Sequence, residues 1–368
     1  MNIAVLTSSR ADYSIYYPLL TKLSKIENIN TSIIAFGTHL SKKHGYTIQN
    51  IINDGFKVEY CLKTYPVSDK PKDINISISK TIKEFNKIWI NNKFDLVIVL
   101  GDRYEMFAAV TSAIAFNIKI AHIHGGEETL GAIDNVFRHS ITMMSNIHFA
   151  STEEYKDRII KMRESSLNVF NVGALSFDNL KNIKLYTKQE FKKTFNIDIS
   201  NPTILITFHP ETVSFEKNAA HVNELISSLK EIKDYQLLIT MPNADTAGNI
   251  VRNKLNEFKR NNSNVICVEN LGTKGYLSAM KHCCFMLGNT SSGYIEATFF
   301  PKYVINIGDR QKGRIVTSNI VNCKIKKVEI LNCINNFNNY QIIPKINIFG
   351  DGNAADKIIN IIKNIVNG

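Results

Sequence analysis

Short apolar runs alternate with segments of helical periodicity from one end of the chain to the other. In the first half, residues 3–7, 32–36, 57–61, 96–100, 118–122, 147–150 and 169–172 read as strands. Helical patterns lie between them at 15–24, 46–53, 76–90, 104–116, 133–145 and 153–162. Most of these strands are apolar and β-branched at successive positions rather than alternating, which is the pattern of a parallel sheet covered on both faces. A polar stretch, 176–201, carries one helical segment at 188–195. The rhythm then restarts, with strands at 203–208, 236–240, 265–268, 285–287 and 303–307. Helices are expected there at 218–231, 246–261, 275–282 and 293–299. The last helix, about 354–366, is amphipathic through Ile358, Ile359, Ile361, Ile362 and Ile365. Two βα arrays joined by a linker predict an α/β protein of two Rossmann-like, doubly wound domains. There is no internal repeat of 20–50 residues and no low-complexity tail.

In parallel α/β sheets, ligands bind beyond the carboxyl ends of the strands. The uncommon polar clusters of this chain all fall there. In the first half they are the run from Ser8 to Ser14, then Gly37-Thr38-His39, Gly101-Asp102-Arg103, and the run from His122 to Glu127. In the second half they are His209-Pro210-Glu211-Thr212, Pro242-Asn243-Ala244-Asp245, the run from Gly288 to Gly293, and the run from Gly308 to Arg314. Their repetition on corresponding edges predicts a functional cleft between two sheets.

The segment Gly288-Asn289-Thr290-Ser291-Ser292-Gly293 joins a strand end to a helix start. Free backbone N–H groups and hydroxyls there favour an anion. Arg310 and Arg314 in the next strand-end loop point to a diphosphate, because Arg pairs phosphate oxygens bidentately. Gly308 and Gly313 have the glycine spacing of a P-loop, but Arg314 stands where Lys is required, and G-x-G-x-x-G is absent. A P-loop NTPase and an ordinary dinucleotide dehydrogenase are therefore disfavoured. The first half supplies carboxylates instead: Asp102, Glu105, Glu127, Glu128 and Asp134, with Arg138 four residues past Asp134 on one helix face. A diphosphate-binding half and a carboxylate-rich half suggest acid–base cleavage of a bond to a nucleoside diphosphate. His122 and His124 are spaced to share a strand face, but no third ligand sits at a recognisable distance, so no metal is expected.

Composition bounds these readings. The 368 residues carry 44 Lys and Arg against 33 Asp and Glu, a net charge of +11, with lysines spread thinly rather than in a patch. Nucleic acid is not an expected partner, whereas a modest positive field suits an anionic small substrate. Six cysteines without C-x-x-C spacing fit reduced thiols rather than a disulfide scaffold. No apolar run approaches the ~18 residues of a membrane span, and the opening Ile3-Ala4-Val5-Leu6 reads as a strand rather than a signal peptide. A cytoplasmic enzyme without membrane contact is expected.

The stretches SSRADYS, VLGDRYE, HIHGGEETLGAID, FRHSIT, STEEY, FHPET, GNTSSG and INIGDRQKGR resemble the hydrolysing UDP-N-acetylglucosamine 2-epimerases of bacterial sialic-acid synthesis. The resemblance runs from about residue 3 to residue 315. It implies a glycogen-phosphorylase-like (GT-B) fold with the final helix crossing back to the first domain. The N-terminal domain would be 1–175 plus 353–368, and the UDP-binding domain 176–352. It implies elimination of UDP from UDP-GlcNAc to a 2-acetamidoglucal, then hydration to N-acetylmannosamine. No cofactor is implied, and a homodimer is. Carried over by position, Asp102 and Asp134 resemble catalytic carboxylates and Arg138 the arginine that orients them. A further catalytic Glu of relatives falls where this chain has His124, so either His124 or Glu127 takes the third role. Arg10 and Ser14 resemble nucleotide contacts of the first domain. His209 and Asn243 resemble diphosphate- and nucleotide-side residues. Thr290, Ser291 and Ser292 resemble the phosphate cradle, Glu296 the partner of the ribose hydroxyls, and Arg310 a phosphate contact. Relatives acting on UDP-2,4-diacetamido-2,4,6-trideoxyglucose give a second candidate substrate. The non-hydrolysing epimerases are a third possibility, but their usual strand-end sequence H-V-E-A-G-L-R is absent.

Overall fold

The computed structural model describes residues 1–242, 248–337 and 346–367. The chain divides into two compact units. The first comprises Met1–Glu127, Asp134–Asn182 and Ile348–Gly368, and the second Glu128–Ile133 and Ile183–Asn347.

The first unit is built on β1 (Asn2–Thr7), α1 (Arg10–Leu23), β2 (Asn30–Phe36), α2 (Ile48–Asn53), β3 (Val58–Leu62), α3 (Pro71–Asn91), β4 (Leu96–Leu100), α4 (Tyr104–Ile114), β5 (Ile120–Ile123), α5 (Asp134–Met144), β6 (Ile147–Ala150), α6 (Glu153–Arg163), β7 (Val169–Asn171) and α7 (Ser176–Asn182). Its seven strands run in the order β3-β2-β1-β4-β5-β6-β7, and every pairing is parallel. Alternate residues of each strand feed opposite faces. Val5, Ile33, Ile98 and Ile123 join one apolar cluster, while Ala4, Leu6, Ile34, Val97 and Val99 join another. Both faces are covered by helices, which is why the inner strands read as unbroken apolar runs. The edge strand β3 alternates in burial instead.

Two helices of this unit start earlier than their apolar periodicity suggests, for local reasons. In α1 the carboxylate of Asp12 accepts from the backbone N–H of Ser8 at 2.6 Å and of Ser9 at 2.7 Å, and from both hydroxyls. This satisfies donors just ahead of the first turn. In α3, Pro71 occupies the first turn, where its missing N–H is harmless. The polar stretch after residue 175 hides α7, whose Asp178 is fully buried. Its two oxygens accept from Ala354 N and Ala355 N at 2.9 Å each, and so cap the last helix, α14 (Ala354–Asn367). The isoleucines Ile358, Ile359 and Ile362 of α14 bury into the core beside α1. Each buried side chain of this size is worth about 1.5–3 kcal/mol.

The second unit repeats the design with α8 (Lys188–Phe195), β8 (Thr203–Thr207), α9 (Asn218–Leu229), β9 (Gln236–Thr240), α10 (Gly248–Arg260), β10 (Val265–Val268), α11 (Gly272–His282), β11 (Phe285–Gly288), α12 (Glu296–Phe299), β12 (Val304–Ile307), β13 (Ile320–Cys323) and α13 (Lys327–Asn335). Its strand order is β10-β9-β8-β11-β12-β13, again parallel throughout. The helix expected at 293–299 is broken. A 3-10 turn, Ser291–Gly293, precedes the four-residue α12, and Thr290 caps the turn by accepting from Ser292 N at 3.4 Å. Strand β13 and helix α13 escape the apolar pattern. Only Ile320 of β13 is buried, as expected of a sheet edge, and α13 follows a lysine-rich connection.

Candidate active site

A doubly wound sheet opens beside the strand where its order reverses. In the first unit that point lies between β1 and β4. Here β1 delivers Ser8, Ser9 and Arg10, and β4 delivers Gly101, Asp102 and Arg103. Ser14 lies one turn into α1, and its hydroxyl donates to the Arg10 carbonyl at 2.7 Å. Beside them β5 runs into His124-Gly125-Gly126-Glu127. Arg138, on α5, gathers these ends. It is 1% exposed, yet it donates from Nη2 to Asp102 Oδ2 and from Nη1 to the Glu127 carbonyl at 3.0 Å. Its Nη1 also lies 3.4 Å from Asn135 Oδ1. Asp134 is the first residue of the same helix, where a carboxylate meets the positive end of the dipole.

The glycines between His124 and Glu127 are a packing requirement. Gly126 has φ +75°, and a Cβ there would lie 2.3 Å from the Tyr155 carbonyl oxygen. His124 itself sits at φ +63°, a strained setting for a non-glycine residue. Its Nδ1 contacts Glu127 Oε1 at 2.7 Å, and the Ser151 hydroxyl donates to the same oxygen at 2.9 Å. His122 has partners of its own. Its Nε2 donates to the Gly101 carbonyl at 2.8 Å, and burial pushes its pKa down to about 4. It is therefore a neutral structural group. Among the described residues, no three His, Cys, Asp or Glu side chains gather into a metal site. Glu105 is fully buried, which raises its carboxyl pKa, while Arg103 pulls the other way through two contacts of 3.2 Å.

In the second unit the reversal lies between β8 and β11. The two strand ends are tied by a reciprocal pair. His209 N donates to Asn289 Oδ1 at 2.7 Å, and Asn289 Nδ2 donates to the His209 carbonyl at 2.8 Å. The Asn289 carbonyl in turn accepts from Gln311 Nε2 at 2.8 Å and Arg310 Nη1 at 3.3 Å. Arg314 continues the relay, donating from Nε to Gln311 Oε1 at 2.6 Å. Gly288 has φ +143°, and a Cβ there would lie 1.9 Å from the Thr207 carbonyl oxygen. Thr290, Ser291, Ser292 and Glu296 follow directly. His209, Thr290, Ser291, Ser292, Glu296 and Arg310 thus gather at one strand-end region. Arg314 also borders a cavity of about 990 Å3 lined by Glu211, Tyr294, Asn306 and Lys324, which none of Thr290, Ser291, Ser292, Glu296 or Arg310 lines. Asn243 lies outside the described residues.

Sequence reasoning passed over several participants. Asn289, Glu211 and Gln311 lie inside the quoted motifs but carry no charge pattern that singles them out. They are 0%, 7% and 1% exposed, and Glu211 Oε1 accepts from Asp309 N at 2.9 Å. The segment Glu128–Ile133 falls within the 1–175 span of the first domain by sequence, yet it packs with the second unit. Leu130 N donates to the Lys312 carbonyl and Ile133 N to Thr212 Oγ1, each at 2.8 Å. A Cβ on Gly131 would lie 2.4 Å from the Asp309 carbonyl oxygen. No periodicity in the sequence marks such a crossing.

Residues 21–363 match the model of a family described as UDP-N-acetylglucosamine 2-epimerase. The chain belongs to that family. Among curated relatives, it is 34% identical over 328 residues to a GDP/UDP-N,N'-diacetylbacillosamine 2-epimerase (hydrolyzing) of Campylobacter jejuni, covering 89% of this chain and 85% of that protein. It is 34% identical to the polysialic acid biosynthesis protein P7 of Escherichia coli, covering 99% and 94%. It is 30% identical to a UDP-N,N'-diacetylbacillosamine 2-epimerase (hydrolyzing) of Legionella pneumophila, covering 99% and 96%. In fold it matches the crystal structure of UDP-GlcNAc 2-epimerase from Neisseria meningitidis bound to UDP-GlcNAc. The TM-score is 0.83 at 18% identity, over 99% of this chain and 100% of that one. The fold is therefore the GT-B fold that the sequence motifs imply. No helix among the described residues is long and apolar enough to cross a membrane.

Proposed function

We propose that the protein is a hydrolysing UDP-sugar 2-epimerase. It eliminates UDP from a UDP-2-acetamido sugar and then adds water to the glycal, releasing the 2-epimeric free sugar. The observation that carries this reading is the cluster of Asp102, Glu127 and Arg138 in one unit, together with the His209–Asn289–Arg310 array in the other. Elimination needs proton transfers at the sugar and support for a departing diphosphate. In this reading Asp102 and Asp134 serve the sugar and Arg138 holds Asp102 in place. Arg310, His209 and the Thr290–Ser291–Ser292 hydroxyls serve the diphosphate, Glu296 the ribose, and Arg10 and Ser14 the nucleotide from the first unit.

For the sugar, the relatives' names reorder the two candidates. Two relatives at 34% and 30% identity carry the name diacetylbacillosamine epimerase, whereas the UDP-N-acetylglucosamine 2-epimerase of Neisseria meningitidis is 25% identical. We therefore place UDP-2,4-diacetamido-2,4,6-trideoxyglucose ahead of UDP-GlcNAc. Initial rates of UDP release from the two nucleotide sugars, measured side by side at equal concentration, test the choice. The larger kcat/KM is expected with the diacetamido sugar. A larger value with UDP-GlcNAc reverses the assignment, and no release from either removes the proposed activity.

A further inference from the structure

Within the first unit's acid cluster, one side chain is built like a proton-transfer group. His124 is 6% exposed and sits at the carboxyl end of β5 in the left-handed region, φ +63°. Its backbone N–H donates to the Phe149 carbonyl at 3.0 Å, so the strained residue is held from the next strand. Its Nδ1 meets Glu127 Oε1 at 2.7 Å. A carboxylate oxygen only accepts, so the ring donates from Nδ1, and in the neutral ring the lone pair then lies on Nε2. That Nε2 is buried and makes no hydrogen bond. An unsatisfied buried acceptor on a strained residue is the kind of expense that folds retain at sites of chemistry. Glu127 does not occupy the same position. It is 2% exposed, its Oε1 is shared by the His124 ring and the Ser151 hydroxyl, and its carbonyl is taken by Arg138. It is placed to orient the ring and to face the positive charge that the ring gains on taking a proton, as the carboxylate of a Ser-His-Asp triad does.

We propose that His124 is the base of the elimination step and Glu127 its positioning residue; the assignment rests on the epimerase reading above. In that step Nε2 of His124 takes the proton from C2 of the sugar. The C2–H electron pair becomes the C1=C2 bond of the glycal. The C1–O bond to the diphosphate breaks, and its electron pair leaves with UDP. The imidazolium then gives its proton to solvent.

The test uses the full chain and three variants: H124N, E127Q and the double variant. Asn is chosen because it tolerates the left-handed backbone at this position. UDP release from the nucleotide sugar reads the first step, and hydration of supplied 2-acetamidoglucal in the presence of UDP reads the second. H124N should slow UDP release by about 10²–10⁴-fold, the usual range for a lost general base. It should keep glycal hydration within about tenfold of wild type, and UDP affinity and melting temperature near wild type. E127Q should slow the same step because Gln can donate to Nδ1 and shift the ring proton to Nε2. The double variant should be no slower than H124N, since the two residues act as a unit. UDP release within tenfold of wild type in H124N overturns the assignment. So does loss of hydration alone, or equal loss of both steps at wild-type melting temperature, or additive losses in the double variant. If H124N melts early, H124Q is judged by the same criteria. Failure of the wild-type chain to release UDP strikes the epimerase reading instead, so the two failures stay distinct.

Discussion

The two sheets are near copies in topology, yet the ends of their central strands carry opposite chemistry. At the reversal of the first sheet, ionisable groups are packed against one another: Asp102 on Arg138, Glu105 on Arg103, and the His124 ring on Glu127. At the reversal of the second, the central tie is a neutral amide, Asn289, exchanging two hydrogen bonds with the His209 backbone. Burying ionic groups is expensive unless each is paired. The first arrangement is worth keeping where protons must move, the second where a rigid cradle must meet an anion that brings its own charge. On the proposed reading, one architecture supports two tasks because strand ends are free to vary while the core beneath them is not.

The largest effect that could break this contrast is on turnover. Asp102→Asn should lower kcat by roughly 10³-fold or more, as expected for loss of a group acting in the transition state. UDP affinity, measured by calorimetry, should stay within about threefold, a difference well under 1.4 kcal/mol. Lost UDP binding in this variant would mean that the first unit's acids are not separate from phosphate recognition. Next come the two glycines that let the strand ends form. Gly126→Ala and Gly288→Ala each force a Cβ into backbone at positive φ. Each should lower unfolding free energy by about 2–4 kcal/mol in denaturant titrations. A loss below 1 kcal/mol in either would show that its strand end can relax. Arg310→Ala sharpens the contrast from the other side. It should weaken UDP binding by about 1.5–3 kcal/mol, the worth of a hydrogen bond to a charged group, with little change in melting temperature. An unchanged UDP affinity would remove Arg310 from the cradle.

The smallest effect per residue concerns acid. Burial lowers the pKa of His39 and His122 to about 4 and of His148 to about 3, all in the first unit. These groups are neutral when folded and bind protons more readily when unfolded. Their contribution is therefore complete above pH 6.5 and declines as pH falls from 6.5 toward 4. At pH 6 the loss is on the order of 1 kcal/mol or less for each histidine. Amide exchange followed from pH 7 to pH 5 should show β1, β4, β5 and β6 losing protection before β8 and β11. The reverse order would contradict the burial of these rings in a cooperative core.

Much of this contrast is legible in the sequence, for a physical reason. A strand buried on both faces must be apolar at every position, so β4 stands out at its ends as well as its middle. Where burial is one-sided the signal fades, as at β13. Where capping rather than periodicity decides, the boundary moves, as at the starts of α1 and α3. The charged residues of the site were visible because charges at strand ends are rare. Which ones meet was not. Arg138 reaches from α5 to Asp102 at the end of β4, a contact that no spacing along the chain announces. The neutral participants Asn289 and Gln311, and the crossing of Glu128–Ile133 into the second unit, leave no mark in charge or period.

The claim that proton chemistry belongs to the first sheet and diphosphate departure to the second requires the C2–H bond to break. Proton NMR of the reaction in heavy water reads that bond directly, with UDP-2,4-diacetamido-2,4,6-trideoxyglucose and UDP-GlcNAc run in parallel. The account predicts free UDP and a free 2-epimeric sugar carrying deuterium at C2. A released sugar of unchanged C2 configuration, or one that retains its original C2 proton, would contradict it.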